Sequence, residues 1–160
     1  MSQVQAVSQV EARLQAAGHQ VPPPHKPAAT YVPWTRQGNV IWVSGQVPMR
    51  DGKAILAGKV GAGVTVAQGQ EMARACALNA IAVLKEASGG QLDKVRILKT
   101  VNFTAAAPGF TDVHVVANGA SELFILAFGE AKGKHARSSV GVAELPFNVP
   151  FECEVVAVVE

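Results

Sequence analysis

The amino-acid sequence predicts an α+β fold in which one mixed sheet carries two helices on a single face. β-rich segments and segments of helical periodicity follow one another in the order strand, strand, helix, strand, helix, strand, strand. Of the 160 residues, 49% are hydrophobic and 16% are charged, which suits a single domain with a sizeable core. The 14 Lys and Arg against 12 Asp and Glu form no dense basic cluster, so we expect no nucleic-acid partner.

Residues 1–29 are interpreted as an N-terminal helix and a proline-rich strap, and residues 30–160 as a single α+β domain. Apolar residues recur at steps of three and four over residues 3–17, which predicts an amphipathic helix that ends at Gly18. Four prolines follow within residues 19–27. A segment so rich in proline can neither continue the helix nor pair in a central strand.

The first β-rich segment, residues 31–43, predicts a hairpin of two short strands. Its turn falls at residues 37–39, where a glycine and an asparagine tolerate positive φ. Residues 44–46, Ser-Gly-Gln, end the hairpin, and a glycine at that point lets the backbone approach another group closely. The pair Asp51-Gly52 predicts a second tight turn.

The most regular helix is predicted after this turn. Thr65 and Gln68 have the spacing of a capping box at its start, and Gly89-Gly90 stops the pattern at its end. Its apolar positions are Met72, Cys76, Ala80, Val83 and Ala87. Their steps of three and four indicate a helix with one buried face.

A core strand is predicted after this helix, over residues 95–103. Simple alternation places four of its apolar side chains on one face: Val95, Ile97, Val101 and Phe103. This strand is expected to lie inside the sheet.

The last part of the chain holds a second core helix and two further strands. The helix ends at Gly129, and its start lies near either Thr111 or Asn118. Residues 134–143 and 151–159 are predicted to form a C-terminal hairpin through a turn bounded by prolines.

This arrangement leaves one face of the predicted sheet without a cover. Both core helices lie on the other face, and only the N-terminal helix remains in the chain to cover the open one. An oligomer that packs sheet faces together is the simplest solution.

The chemistry of the chain centres on the strand that contains KHARSSVGVAEL. Alternation places His135, Arg137 and Ser139 on one face of it. A guanidinium on an otherwise small and apolar strand must be paired, because an unpartnered buried charge is strongly unfavourable. Two kinds of partner stay open: Glu152 or Glu154 on the following strand, or the carboxylate of a ligand, which a planar guanidinium can bind through two hydrogen bonds.

Several familiar kinds of site are excluded by the sequence. The glycines around residues 58–63 lack the spacing of a dinucleotide loop, the histidines show no paired spacing for zinc, and no serine stands in a G-x-S-x-G elbow. We therefore expect no dinucleotide site, no metal site and no serine hydrolase. Cys76 and Cys153 are interpreted as core residues. No apolar stretch is long enough to span a membrane and no export signal is recognised, so we expect no membrane partner and a cytoplasmic location.

Four sequence segments carry a resemblance to a known family. They are Gly38 to Pro48, Asn118 to Ser121, His135 to Val140, and Leu145 to Glu154. They resemble the reactive intermediate deaminase family, also called YjgF-like or endoribonuclease L-PSP (liver perchloric-acid-soluble) proteins. The resemblance implies a chorismate-mutase-like fold, a homotrimer whose sheets face inward, and ligand sites in the clefts between subunits.

The resemblance also implies a hydrolase that converts enamines and imines, such as 2-aminoacrylate, to 2-oxo acids and ammonia without a cofactor. Arg137 matches the essential arginine of the R-S-x-V motif, Glu152 the family's acidic residue, and Tyr31 its tyrosine before the first hairpin turn. The expected roles are carboxylate binding by Arg137, delivery of water and protons by Glu152, and closure of the pocket by Tyr31. Ser139 and the strand-end residues Ser44, Gly45 and Gln46 complete the expected substrate-binding set.

The N-terminal helix is additional to the family's pattern, which indicates a longer, divergent branch. Two other functions stay open. One is a non-catalytic trimer that binds small carboxylic acids or a protein partner. The other, less favoured because the charge is balanced and the histidines are dispersed, is an endoribonuclease.

Overall fold

A computed structural model describes residues 7–160 and has the predicted α+β architecture. Its helices are α1 (Gln9–Ala16), α2 (Val66–Ala87) and α3 (Val113–Gly133). The strands are β1 (Trp34–Gln37), β2 (Val40–Gln46), β3 (Met49–Arg50), β4 (Lys53–Ala54), β5 (Lys59–Val60), β6 (Gly63–Val64), β7 (Val95–Ala105), β8 (Ala136–Val142) and β9 (Phe151–Val159). Short 3-10 turns precede β7 and β9. None of the helices within residues 7–160 is long and apolar enough to cross a membrane.

The main sheet has the strand order β1-β2-β9-β7-β8, and only β7 and β8 run parallel. Both α2 and α3 pack on one face of it, as predicted. Alternate residues of β9 point into this core: Phe151, Cys153, Val155 and Ala157. The sheet therefore has a helix-covered face and an open face.

Local sequence signals set the ends of the two long helices. Thr65 Oγ1 accepts a hydrogen bond from the Gln68 amide at 3.1 Å, and Gln68 Oε1 accepts one from the Thr65 amide at 2.9 Å, so the predicted capping box is confirmed. The second long helix begins at Val113, after Asp112. At Gly129 its backbone leaves the helical region with φ 78°, which fits the predicted stop at this residue.

Gly119 lets α2 and α3 pack against each other at very short range. A Cβ atom at this position would stand 2.2 Å from the carbonyl oxygen of Gln70 on α2. Only a residue without a side chain fits this contact. The contact fixes the position of α3 over the sheet, and with it the position of Ser121 two residues later.

The predicted C-terminal hairpin is wrong. β8 pairs in parallel with β7 through residues such as Thr100 and Arg137, and β9 lies on the other side of β7. The segment β7-α3-β8 is a strand-helix-strand crossover, which joins parallel neighbours. The segment between β8 and β9 then carries the chain past β7, so β8 becomes an edge strand.

The predicted single apolar face of β7 is also wrong. The pairing with β9 shifts between Ile97 and Lys99, where an extra residue forms a bulge. Val95 and Ile97 face the helices before the bulge. After it the alternation is inverted, so Thr100, Asn102 and Thr104 are the buried residues and Val101 and Phe103 lie on the open face.

The N-terminal helix packs on the helix side of the sheet. Val10 and Leu14 are buried in the common core, and the Asp93 carboxylate accepts hydrogen bonds of 3.1 Å from the Gln9 and Val10 amides. The part of the predicted helix before residue 7 lies outside the described residues, and the division of the chain after residue 29 stays a prediction.

The open face of the sheet therefore has no cover from α1 or from any other element of residues 7–160. Trp42 and Val140 on this face are 45% and 43% exposed. Apolar side chains this exposed are typical of an interaction surface when they share one face.

Candidate functional site

Arg137 lies on the edge strand β8 and points to the helix-covered face. It pairs in register with Thr100, which is buried on that face. Its Nη1 donates to Ser121 Oγ at 3.1 Å and its Nη2 donates to the carbonyl oxygen of His114 at 3.0 Å. Both acceptors belong to α3, so the strand and the helix together hold the guanidinium.

Within residues 7–160, the Arg137 guanidinium makes no ion pair. Glu152 and Glu154 were one of its two expected kinds of partner, and that pairing is wrong. Both glutamates lie on β9, beyond β7, and they face the open side of the sheet, opposite to Arg137. Two of the five N–H donors of Arg137 are used, and a neutral hydroxyl and a carbonyl accept them.

His135 is the residue that sequence reasoning left without a role, and it lies beside Arg137. Its Nδ1 is 2.6 Å from the carbonyl oxygen of Gly133 and its Nε2 is 3.1 Å from Ser121 Oγ. The ring meets the Phe124 ring edge to face at 5.7 Å. Burial lowers the pKa of His135, and the nearby Arg137 charge lowers it further, against an opposing effect of the Gly133 carbonyl.

Ser139 is the next residue of β8 that faces the helices. It pairs in register with Asn102 of β7. Ser139 Oγ, Asn102 Oδ1 and Thr104 Oγ1 are buried and have no hydrogen-bond partner among the described residues. Buried polar atoms without partners are rare in folded proteins, so this row of three is available to a water molecule or to a polar group of a ligand.

Glu152 forms a second group of candidate residues with the end of β2. Its carboxylate lies over Gly45, where β2 is irregular and its pairing with β9 shifts between Val43 and Gln46. The side chain is half-buried and has no hydrogen bond or ion pair within residues 7–160. Burial raises the pKa of Glu152, and repulsion from Glu154 raises it further.

A pocket of about 430 Å³ opens beside this second group. Residues of the strap, of the first hairpin and of the loop before β9 line it: His25, Lys26, Pro27, Ala28, Tyr31, Pro33, Gly45, Gln46, Val47, Met49, Gly52 and Phe147. Tyr31 is 51% exposed at its mouth. Ser44 uses its hydroxyl internally, donating to the Val32 carbonyl at 2.7 Å, and Gln46 donates to the Ser44 carbonyl at 2.9 Å.

The candidate residues thus fall into two half-sites within one chain. The cation half-site contains Arg137 and Ser139 at the β8 edge. The acid half-site contains Glu152 on the central strand β9, which faces the open side of the sheet, with residues 44–46 at the end of β2 and Tyr31 beside them. The first can bind an anion and the second can exchange protons, but neither does both.

The remaining reactive side chains of residues 7–160 form no further centre. Cys76 and Cys153 are free and fully buried, as predicted, and burial raises the pKa of Cys153 to about 12. No group of three or more His, Cys, Asp or Glu in this part of the chain could hold a metal ion.

The fold and the edge-strand arginine define a small α+β protein of the chorismate-mutase-like class. The chain belongs to the family described as "YjgF/chorismate mutase-like, putative endoribonuclease", whose sequence model matches residues 11–158. It is 43% identical over 152 residues to Protein TCP17 of Trypanosoma cruzi, covering 94% of each chain.

Two solved structures are similar over nearly the whole chain. The protein Atu1372 of Agrobacterium tumefaciens, of unknown function, has a TM-score of 0.89 and 42% identity, with 95% of this chain and 93% of that chain covered. A "putative endoribonuclease" of Shewanella oneidensis has a TM-score of 0.90 and 31% identity, with 95% and 100% covered. The N-terminal helix and the strap are therefore part of a shared longer form of the fold.

Proposed function

We propose that this protein is a cofactor-independent deaminase that hydrolyses 2-imino acids and their enamines, of the 2-aminoacrylate type, to 2-oxo acids and ammonia. The observation that carries the proposal is the guanidinium of Arg137, which no carboxylate within residues 7–160 neutralises. A half-buried cation held in place by neutral acceptors is suited to an incoming carboxylate, which it can bind through two hydrogen bonds.

The active assembly that we propose is a homotrimer with its sites between subunits. Arg137 lies on the edge strand β8 and Glu152 on the central strand β9, and the two side chains face opposite sides of the sheet. A ring of three chains would bring the Arg137 side of one chain to the Glu152 side of the next. The open, partly apolar sheet face would be buried in the same ring.

In the proposed reaction Arg137 holds the substrate carboxylate and so fixes the adjacent imine carbon, since proximity alone can lower a barrier by several kcal/mol. Ser139 would hydrogen-bond the same carboxylate. Once an enamine has tautomerised to the imine, Glu152 takes a proton from water as the water oxygen bonds to the imine carbon, and gives it to the nitrogen as the C=N bond becomes single. It then takes the hydroxyl proton of this carbinolamine and gives it to the nitrogen, so that the C–N bond breaks, the 2-oxo group forms and ammonia leaves. A carboxylate whose pKa is raised by burial is suited to both steps.

The test is the release of ammonia and 2-oxo acid from 2-aminoacrylate generated in place by a dehydratase. We expect the wild type to accelerate release over the uncatalysed rate, Arg137→Ala to abolish the acceleration, and Ser138→Ala to retain it. Ser138 lies on the open face of the same strand, so its variant controls both for damage to β8 and for disturbance of the face that the trimer would bury. Equal rates for the wild type, R137A and a protein-free blank would reject the deaminase.

A non-catalytic carboxylate-binding trimer is the second candidate, because a chain whose two half-sites do not meet could use the cation half-site alone. Binding of 2-oxobutyrate or benzoate that requires Arg137, with no turnover of any imine, would select this candidate. A ribonuclease activity, which the names of relatives suggest, requires that wild type cut RNA and an identically purified R137A variant do not. The two free cysteines suit a reducing compartment, and we propose the cytoplasm.

A further inference from the structure

The guanidinium of Arg137 is held by two acceptors of different kinds. The carbonyl oxygen of His114 is fixed by the backbone of α3. The hydroxyl of Ser121 can rotate, and it accepts from Arg137 only if its own hydrogen points elsewhere. The orientation of Arg137 therefore depends on what the Ser121 hydroxyl donates to.

His135 decides the direction of this hydrogen bond. A carbonyl oxygen can only accept, so the 2.6 Å contact between His135 Nδ1 and the Gly133 carbonyl requires that Nδ1 carry the hydrogen. Nε2 of the neutral ring then has a free lone pair, which accepts the Ser121 hydroxyl hydrogen at 3.1 Å. With its hydrogen directed there, Ser121 Oγ presents a lone pair to Arg137 Nη1.

The surroundings hold this chain of hydrogen bonds in one arrangement. Gly133 is buried, and a Cβ atom there would stand 2.5 Å from the Phe124 carbonyl oxygen, so its own carbonyl is fixed by close packing. Phe124 packs edge to face on the imidazole. Burial also lowers the pKa of His135, which favours the neutral ring that the arrangement requires.

We propose that His135 and Ser121 are positioning residues that aim the Arg137 guanidinium at the carboxylate of the substrate. The hydrogen bonds run in one direction, from Arg137 to Ser121 to His135 to the Gly133 carbonyl. They leave Nε–H and one hydrogen on each Nη of Arg137 for the ligand. The proposal rests on the proposed function for its ligand class, a small 2-oxo or 2-imino acid.

The test compares two substitutions of His135 that remove the same ring. Glutamine has a carbonyl that can take the place of Nε2 as acceptor for Ser121, whereas the shorter asparagine can reach only the Gly133 side. We expect His135→Asn and Ser121→Ala to weaken 2-oxobutyrate binding about tenfold. His135→Gln should stay within about threefold of wild type and Ser138→Ala should be unchanged. Across these variants, KM for the imine should change in parallel with the dissociation constant of 2-oxobutyrate, and kcat should stay nearly constant.

A merely structural role for His135 gives a different result. H135N and H135Q both lose the ring contact with Phe124, so their melting temperatures should fall by similar amounts whether or not His135 positions Arg137. Equal losses of affinity in H135N and H135Q would overturn the proposal. Retained affinity in S121A would overturn it as well.

The nitrogen resonances of His135 in the wild-type protein give a second readout that needs no ligand. We expect the neutral tautomer with hydrogen on Nδ1, and the opposite tautomer would overturn the proposal. If the wild type binds 2-oxobutyrate but hydrolyses no imine, the deaminase proposal is rejected. The 2-oxobutyrate affinities of the variants still test the role of His135. If the wild type binds no carboxylate, the proposed function and the aiming of Arg137 at a carboxylate both fail, and the tautomer then tests only whether His135 fixes the direction of the hydrogen bonds to Arg137.

Discussion

The carboxylate of Glu152 lies so close over Gly45 that a Cβ atom added to Gly45 would stand 1.8 Å from Glu152 Oε1. The obstacle is the far end of a flexible side chain, so Gly45→Ala should fold normally and displace the carboxylate. General acid–base groups contribute about 10²–10⁴-fold to rates. We expect kcat for imine hydrolysis to fall at least about 100-fold, with a melting temperature within about 3 °C of wild type.

A double-variant cycle is the control for this prediction. Glu152→Ala alone should lose a similar factor, and combining it with Gly45→Ala should cost nothing more, because the added methyl group acts only through the carboxylate. Independent, multiplying losses would mean that Gly45 acts on the reaction by another route.

The raised pKa of Glu152 predicts a pH-dependent stability difference. Between the ordinary pKa of a glutamate and the raised value, the folded chain binds more protons than the unfolded chain, so the free energy of unfolding falls as the pH rises through that window. Glu152→Gln removes the titrating group and with it this pH dependence of the free energy of unfolding. The stability of the variant relative to wild type, measured by urea denaturation, should therefore increase from about pH 4 to about pH 7.

Glu154→Gln is the matched variant for the pH prediction. Glu154 is exposed and is the smaller of the two causes of the Glu152 shift, after burial. E154Q should therefore keep most of the pH dependence of the unfolding free energy that Glu152 causes. A stability difference between E152Q and wild type that is the same at both pH values would contradict a raised pKa.

Arg137→Lys tests whether the shape of the cation matters as well as its charge. A lysine has no planar fork, so it cannot keep the contacts with Ser121 and His114 and also bind a carboxylate through two hydrogen bonds. We expect the affinity for 2-oxobutyrate to fall about 10- to 100-fold in calorimetry. Arg74→Lys, the same change in a surface ion pair with Glu71, should leave it unaltered. Equal affinity in R137K and wild type would indicate a simple charge effect.

Sequence patterns were sufficient to predict the features that depend only on residues close together in the chain. The capping box at Thr65, the positive-φ turn at Asp51-Gly52 and the facing of Arg137 along its strand all follow from the nearest residues. Strand neighbours do not follow in this way. Adjacency in sequence predicted that β8 and β9 pair, but the crossover through α3 makes β8 a partner of β7.

The same limit explains the residues that sequence reasoning missed. Ser121 is on a helix and Arg137 on a strand, and no periodicity relates positions on two different elements. The one available signal was alternation, which put His135 on the face of Arg137. The bulge in β7 between Ile97 and Lys99 has no sequence marker, and it alone turns Asn102 and Thr104 inward beside Ser139.

The open sheet face predicts the assembly in solution. We expect a mass of three times the 16.7 kDa chain by light scattering. Trp42→Glu places a charge on the open face, where Trp42 is 45% exposed in the single chain, and should dissociate the trimer. Leu126→Glu changes a side chain of similar exposure, 41%, on α3, and should not. A monomeric wild type, or equal behaviour of the two variants, would contradict a trimer built on this face.

Gly119→Ala tests whether the contact between α2 and α3 sets the position of Ser121. The added Cβ atom would meet backbone, the Gln70 carbonyl oxygen at 2.2 Å, so the helices must separate. Overpacking of this kind costs about 1–3 kcal/mol of unfolding free energy. Asn118→Ala is the matched variant, because it also raises helix propensity but adds no atom at the contact, and its stability should be equal to or above that of wild type. If the separation carries Ser121 away from Arg137, G119A should also weaken 2-oxobutyrate binding. A variant that is destabilised but binds normally would show that the helix contact and the orientation of the guanidinium are independent.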